Sequence, residues 1–106
     1  DFLTAKMPVN PKVHQPAGIL HGGATVALAE SVGSAASRMV VQDGQQVRGI
    51  EIAANHLKSI QEGWVFATAK IVHKGRTTHL WEIRITDEKG QIISLCKLTN
   101  IVLSVK

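Results

Sequence analysis

At 106 residues the chain is long enough for one hydrophobic core and too short for two domains. Its 44% hydrophobic and 19% charged residues are ordinary for a globular protein; no apolar run approaches the roughly 20 residues of a membrane helix, and no signal-peptide pattern opens the chain. A formal net charge of +4 raises nucleic acid as a partner, but aromatics are only 4% and no two Lys or Arg residues adjoin, which disfavours a long polyanion.

The chain opens without Met in FLTAKMPV, whose alternation predicts an edge strand over residues 2–9 that tolerates Pro8. That opening reads as the trimmed end of a longer protein, a single domain over residues 1–106. Asn10–Gly18 is a loop, with Pro11, Pro16 and Gly18 blocking regular structure. Within Gly18–Val40, Ala24, Ala27, Leu28, Val32, Ala35, Ala36 and Met39 recur at spacings of three and four, which predicts a helix ending near Val41. Gln42-Asp43-Gly44 then signals a turn.

The helix has no Ser, Thr, Asp or Asn at its start, only His21-Gly22-Gly23. Glycines there leave backbone N–H groups approachable, and the helix dipole favours negative charge beside them. Two turns on, Glu30 stands among Val26, Ala27, Ala29 and Gly33, so it is expected to be buried. A carboxylate is expensive to bury unless it is paired or working. A solvent-facing helix Glu is the plain alternative. Ser34, four residues on, shares its face and either orients a water or simply eases packing. His21 has no carboxylate close in sequence to orient it, and Gln15 offers an amide donor from the loop.

After Gln46 the pattern turns to strands, over Val47–Ile60, Trp64–Lys74, Thr77–Thr86 and Ile92–Val105. Glu62-Gly63, Lys74-Gly75-Arg76 and Asp87-Glu88-Lys89-Gly90 separate them as hairpin loops, which predicts an antiparallel meander. One helix wrapped by a curved antiparallel sheet is the α+β architecture this order favours. Asn55-His56 form a polar pair within the first of these strands. Cys96, the only cysteine, excludes an intrachain disulfide, suits a reducing cytoplasm and reads as a small core residue. Five His and no cysteine pair give poor metal spacing, so no metal site is expected. Long strand edges and a helix of small residues imply a homo-oligomer.

Four stretches carry a resemblance: Gln15-Pro16-x-Gly18-x-x-His21-Gly22-Gly23-Ala24, Leu28-Ala29-Glu30-Ser31-x-Gly33-Ser34, Gly49-Ile50-Glu51-Ile52-Ala53-Ala54-Asn55-His56 and His73-x-Gly75-Arg76. In this order the chain resembles the hot-dog-fold acyl-CoA thioesterases, in the branch of the 4-hydroxybenzoyl-CoA and 1,4-dihydroxy-2-naphthoyl-CoA enzymes. The resemblance implies that the Gly22 N–H polarises a thioester carbonyl, helped by Gln15 and His21. It gives Glu30 the attack, as nucleophile or as general base, with Ser34 holding water or carboxylate. It puts Glu30 and Ser34 on one subunit and Gln15, His21 and Gly22 on its partner, so that a dimer is the catalytic unit, within a tetramer. It also implies that Lys58, Ser59, Lys74 and Arg76 meet the CoA phosphates, while Gly49, His56, Leu57, His73, Gly75, Thr77 and Thr78 line the channel. No cofactor is implied, since CoA belongs to the substrate; a carrier-protein thioester is a further candidate. Competing readings are hydratase or dehydratase chemistry on an acyl thioester, and a non-catalytic CoA-ester or nucleic-acid binding module.

Overall fold

The structure, a computed structural model, describes residues 2–104. Strand β1 (Phe2–Val9) leads through a short 3-10 turn (Pro11–Val13) into helix α1 (Gly22–Val40). Strands β2 (Gln45–His56), β3 (Gly63–Lys74), β4 (Thr78–Thr86) and β5 (Ile92–Ser104) follow. The five strands form one antiparallel sheet in the order β1-β3-β4-β5-β2, and α1 packs on all five.

This is the expected helix-on-sheet arrangement, with one correction to its path. The predicted meander holds for β3, β4 and β5, but β2 pairs with β5 at the far edge rather than with β3. Glu62-Gly63 is therefore not a hairpin loop; Leu57–Glu62 belongs to a crossover that carries the chain to the other side of the sheet. The alternation of β2 could not reveal this, because local pattern fixes which face is buried and not which strand lies alongside. Pro8 is tolerated because β1 pairs on one side only, with β3. Strand β2 also ends at His56, so Asn55-His56 lie at a strand terminus and not mid-strand. Val105 falls outside the described residues.

The helix buries Thr25, Ala29, Val32, Gly33, Ala36 and Ser37 against the sheet. Facing them are alternate residues of β3, β4 and β5, including Val65, Ala67, Ala69, Trp81, Ile83, Ile85, Cys96 and Leu98. The period of two continues through His79 on β4 and Asn100 on β5, so two polar groups occupy core positions. Gly33 is where helix and sheet come closest: a Cβ there would lie 2.6 Å from Leu98 Cδ2. Among the described residues no helix is long and apolar enough to cross a membrane.

Candidate active site

The start of α1 is capped, contrary to the expectation of a bare Gly-Gly entrance. His21 takes an extended conformation and its Nδ1 accepts from Gly23 N–H at 2.8 Å. Imidazole serves here in place of the usual Ser or Asp oxygen, because its ring nitrogen reaches the second amide. The cap has a chemical consequence: with Nδ1 accepting, the proton of a neutral His21 ring sits on Nε2, which faces outward as a donor. Ala24 and Thr25 N–H both bond to His21 O. Gly22 N–H is left without a partner among the described residues, and it is the approachable donor at this helix start.

The loop before the helix is tied in place by backbone bonds. Gln15 N–H donates to Ile19 O at 2.8 Å, Gly18 N–H donates to Gln15 O at 2.9 Å, and Gly18 takes φ +79 to close that turn. Leu20 N–H reaches Ile60 O, and His21 N–H reaches Val13 O. The crossover segment is thereby sewn to the helix start. Gln15, Gly22, His56, Leu57, Lys58 and Ser59 line one cleft of about 330 Å3, floored by Leu20, Ile60 and Ile93.

His56 stands over Gly22. A Cβ on Gly22 would lie 3.0 Å from His56 Nε2, so only glycine lets ring and backbone approach this closely. Ser94 Oγ donates to Asn55 O at 3.1 Å, so its 2.6 Å bond with His56 Nδ1 has the imidazole as donor. A neutral His56 therefore presents an unprotonated Nε2 toward the side of Gly22 where a Cβ would stand.

Other expected partners stand elsewhere. Glu30 lies eight positions beyond Gly22 on the helix, about 12 Å along the axis at 1.5 Å per residue. The expectation that Glu30 is buried is corrected: its side chain is exposed in this chain, because the sheet-facing stripe runs through Ala29 and Gly33 and leaves Glu30 at its border. Its Oε2 instead hangs beside β2, 3.1 Å from where Gly49 would carry a Cβ. Ser34 is half-buried and makes no hydrogen bond to Glu30 among the described residues.

The basic residues divide into two groups. Lys58 lies near the helix start, bonded to Gln91 Oε1 and 3.9 Å from Asp87 Oδ2. Lys74, Gly75 and Arg76 border a cleft of about 240 Å3 at the helix end, with Val40, Val41 and His79. A helix of 19 residues, roughly 28 Å long, runs between the two clefts, so one chain does not gather them around a single phosphate cluster. His73 and Thr77 are exposed, and Gly75 N–H bonds to Thr78 O at 2.8 Å. Among the described residues no three metal-ligating side chains come together. Burial pushes the Cys96 thiol up, leaving it a core side chain rather than a nucleophile.

One buried network was not anticipated from the sequence. Ser37 Oγ accepts from Trp81 Nε1 at 2.6 Å and from Asn100 Nδ2 at 2.8 Å. Its own proton then goes to His79 Nδ1 at 2.9 Å, which makes His79 a neutral ring protonated on Nε2. Burial pushes the His79 pKa down, and the nearby charges of Lys74 and His73 add to this. Asn100 Nδ2 also reaches Gly33 O at 3.4 Å, but its Oδ1 is buried without a partner. The available signal was periodicity: His79 and Asn100 fall on the inward phase of strands otherwise filled by Trp81, Ile83, Cys96 and Leu98.

Comparison with known proteins identifies the family. Residues 17–94 match the family described as the thioesterase superfamily. The 1,4-dihydroxy-2-naphthoyl-CoA hydrolase of Escherichia coli is 46% identical over 103 residues, covering 97% of this chain and 76% of that one. The proofreading thioesterase EntH of Cronobacter sakazakii is 44% identical over 103 residues, covering 97% and 75%. The crystal structure of thioesterase HI1161 from Haemophilus influenzae superposes with a TM-score of 0.96 at 39% identity, covering 99% and 73%.

Proposed function

Since the chain belongs to the thioesterase superfamily and is a thioester hydrolase, we propose that it hydrolyses acyl-CoA thioesters, aromatic ones foremost, with Glu30 delivering the attack. That premise sets aside the hydratase and binding-module readings. The observation that carries the proposal is the unpartnered Gly22 N–H, at a residue that lines one cleft with Gln15 and His56. An amide at a helix start, aided by the outward His21 Nε2–H and the Gln15 carboxamide, suits the oxygen of a thioester as charge builds on it. The aryl preference leans on the E. coli relative, which is named for a naphthoyl-CoA substrate. EntH, named for proofreading, makes a carrier-protein thioester the other substrate form to assay.

Glu30 and the Gly22 amide of one chain are too far apart to meet one carbonyl. The reading therefore takes Glu30 and Ser34 from one copy and Gln15, His21 and Gly22 from another. Strand β2 supports such pairing: it is an edge strand carrying the exposed Ile50, next to Glu30 and Gly49. Pairing two chains antiparallel about a two-fold axis also lets Lys58 and Ser59 of one approach Lys74 and Arg76 of the other, around the CoA phosphates. Gly49, Leu57, His73, Gly75, Thr77 and Thr78 complete the channel in this reading. At the opposite end Phe2 and Met39 are exposed beside a small apolar cleft, which suits further pairing into a tetramer. We assign the enzyme to the cytoplasm, where Cys96 stays reduced, and assign it no cofactor beyond the CoA of its substrate.

The test is Glu30→Gln, assayed by thiol release from a panel of aryl and aliphatic CoA esters. Turnover is expected to fall by about 10²- to 10⁴-fold, the range of a lost acid–base group, with CoA binding retained. Near-normal turnover refutes the proposal. A flat specificity constant across the panel overturns the aryl preference alone.

A further inference from the structure

Gly49 and Asn100 are register partners on β2 and β5, and both face the helix. At the point a Gly49 Cβ would occupy, Glu30 Oε2 is 3.1 Å away and Asn100 Oδ1 is 3.6 Å away. Asn100 is fully buried, its amide nitrogen is engaged with Ser37 and Gly33, and its Oδ1 accepts nothing. Two oxygen acceptors thus face one notch with no hydrogen between them. A buried carbonyl left without a donor costs about 1–3 kcal/mol, unless a proton-bearing group enters. With the amide nitrogen on Ser37 Oγ and Gly33 O, the amide oxygen is the atom that points at the notch.

Beside Oδ1 lies the notch that glycine leaves, and the exposed Glu30 side chain stands across it. A water drawn in there has two acceptors for its two protons, the minimum for a stable site. We propose that Asn100 is a positioning residue for the hydrolysis: across the Gly49 notch its Oδ1 accepts one O–H of the attacking water while Glu30 accepts the other. This rests on the proposed role of Glu30 and decides how Glu30 acts. The water oxygen bonds to the thioester carbon as its first proton passes to Glu30. The C–S bond then breaks, and that proton goes from Glu30 to the departing thiolate. The second proton stays on the new carboxylic acid, so the sum is thioester and water to acid and thiol. The rest of the network has a purpose in this scheme. Ser37, with its lone pairs taken by Trp81 and Asn100, locks the amide so that its oxygen points at the notch and nowhere else.

Gly49→Ser separates this from a lining role. Its φ is not in the glycine-favouring region, so the backbone accepts a side chain there. The new hydroxyl would take the place of the water and donate to Asn100 Oδ1. The expected result is a kcat at least about tenfold lower, a KM within about threefold, and a melting temperature equal to or above wild type. Asn100→Ala approaches from the other side without touching Glu30, and should lower kcat with KM likewise kept. The double variant should lose no more than the worse single one, because both remove the same water. A Gly49→Ser enzyme with wild-type kcat, or with raised KM alone, overturns the proposal; so does a folded Asn100→Ala with wild-type kcat. If Asn100→Ala does not fold, Gly49→Ser decides by itself. Glu30→Gln run alongside keeps the failures apart: an active Glu30→Gln sinks the proposed function, whereas a dead Glu30→Gln with fully active Gly49→Ser sinks only the water site.

Discussion

His56 Nε2 rests 3.0 Å from the point where Gly22 would carry a side chain, and Ser94 anchors the ring from behind at 2.6 Å. The imidazole is pinned on one side and meets bare backbone on the other. Gly22→Ala should therefore push the ring off its anchor or open the cleft, while leaving the helix intact, since Ala is the better helix former. We expect a kcat/KM drop of about tenfold or more, of the order one misplaced donor costs, with an unchanged circular dichroism spectrum. The double variant Gly22→Ala/His56→Ala should be no worse than His56→Ala alone, because the clash needs both groups. Additive losses in that cycle would show that the two act separately.

Gly33 answers to packing instead. A methyl there meets Leu98 Cδ2 at 2.6 Å and Ile83 Cδ1 at 3.4 Å, and both side chains are fully buried with nowhere to retreat. Overpacking a tight core costs about 1–3 kcal/mol, against a helix-propensity gain of up to about 1 kcal/mol. Gly33→Ala should thus lower the urea midpoint despite improving the local helix. A midpoint at or above wild type would mean that the helix slides freely over β5.

His79 makes stability depend on pH in a definite direction. Its ring is held neutral in the folded protein, by burial first and by Lys74 and His73 second, so its folded pKa lies below the ordinary 6.5. The unfolded chain binds a proton as pH falls through 6.5, and the folded chain does so only lower down. The unfolded state then carries more protons in that window, and stability falls as pH falls. Above it the contribution is fully present. The share due to one proton is at most about 1.4 kcal/mol per pH unit. Melting temperature between about pH 5 and 6.5 should fall less steeply in His79→Gln than in wild type. Gln can still accept from Ser37 but does not titrate. Equal slopes would assign the dependence to other groups.

How legible these features were depends on whether a signal is local. The helix, the polar loop before it and the strand character of β3, β4 and β5 follow from period and turn residues within short windows. The position of β2 does not, because nothing in Gln45–His56 states whether β3 or β5 is its neighbour. Site residues divide along the same line. Gln15, His21, Gly22 and Glu30 stood out as departures from a plain helix start. The capping role of His21 needed its backbone angles, and the exposure of Glu30 needed the helix rotated onto the sheet. Asn100 and Ser37 are unremarkable in sequence; only three elements folded together leave Asn100 Oδ1 facing Glu30. The basic residues show the reverse, since the resemblance gathers Lys58, Lys74 and Arg76 around one set of phosphates and the length of α1 splits them within one chain.

That split, and the 12 Å of helix between Gly22 and Glu30 (about 1.5 Å for each residue), make the sharpest claim about assembly. A site drawn from two chains predicts that two dead variants restore each other. Gln15→Ala removes a donor from the cleft at the helix start, and Glu30→Gln removes the proposed attacking carboxylate. In a two-fold dimer of one chain of each kind, one site receives both substitutions and the other receives neither. Random exchange makes half of all dimers mixed, so unfolding and refolding an equal mixture should return about a quarter of wild-type turnover from parents that have almost none. Each parent refolded alone should return nothing, which excludes recovery by refolding itself. Were a single chain able to bring Glu30 to its own Gly22, every chain in the mixture would carry one lesion in its own site, and activity would stay at the parental level. The recovered fraction therefore counts the chains in each site without any structure of the assembly.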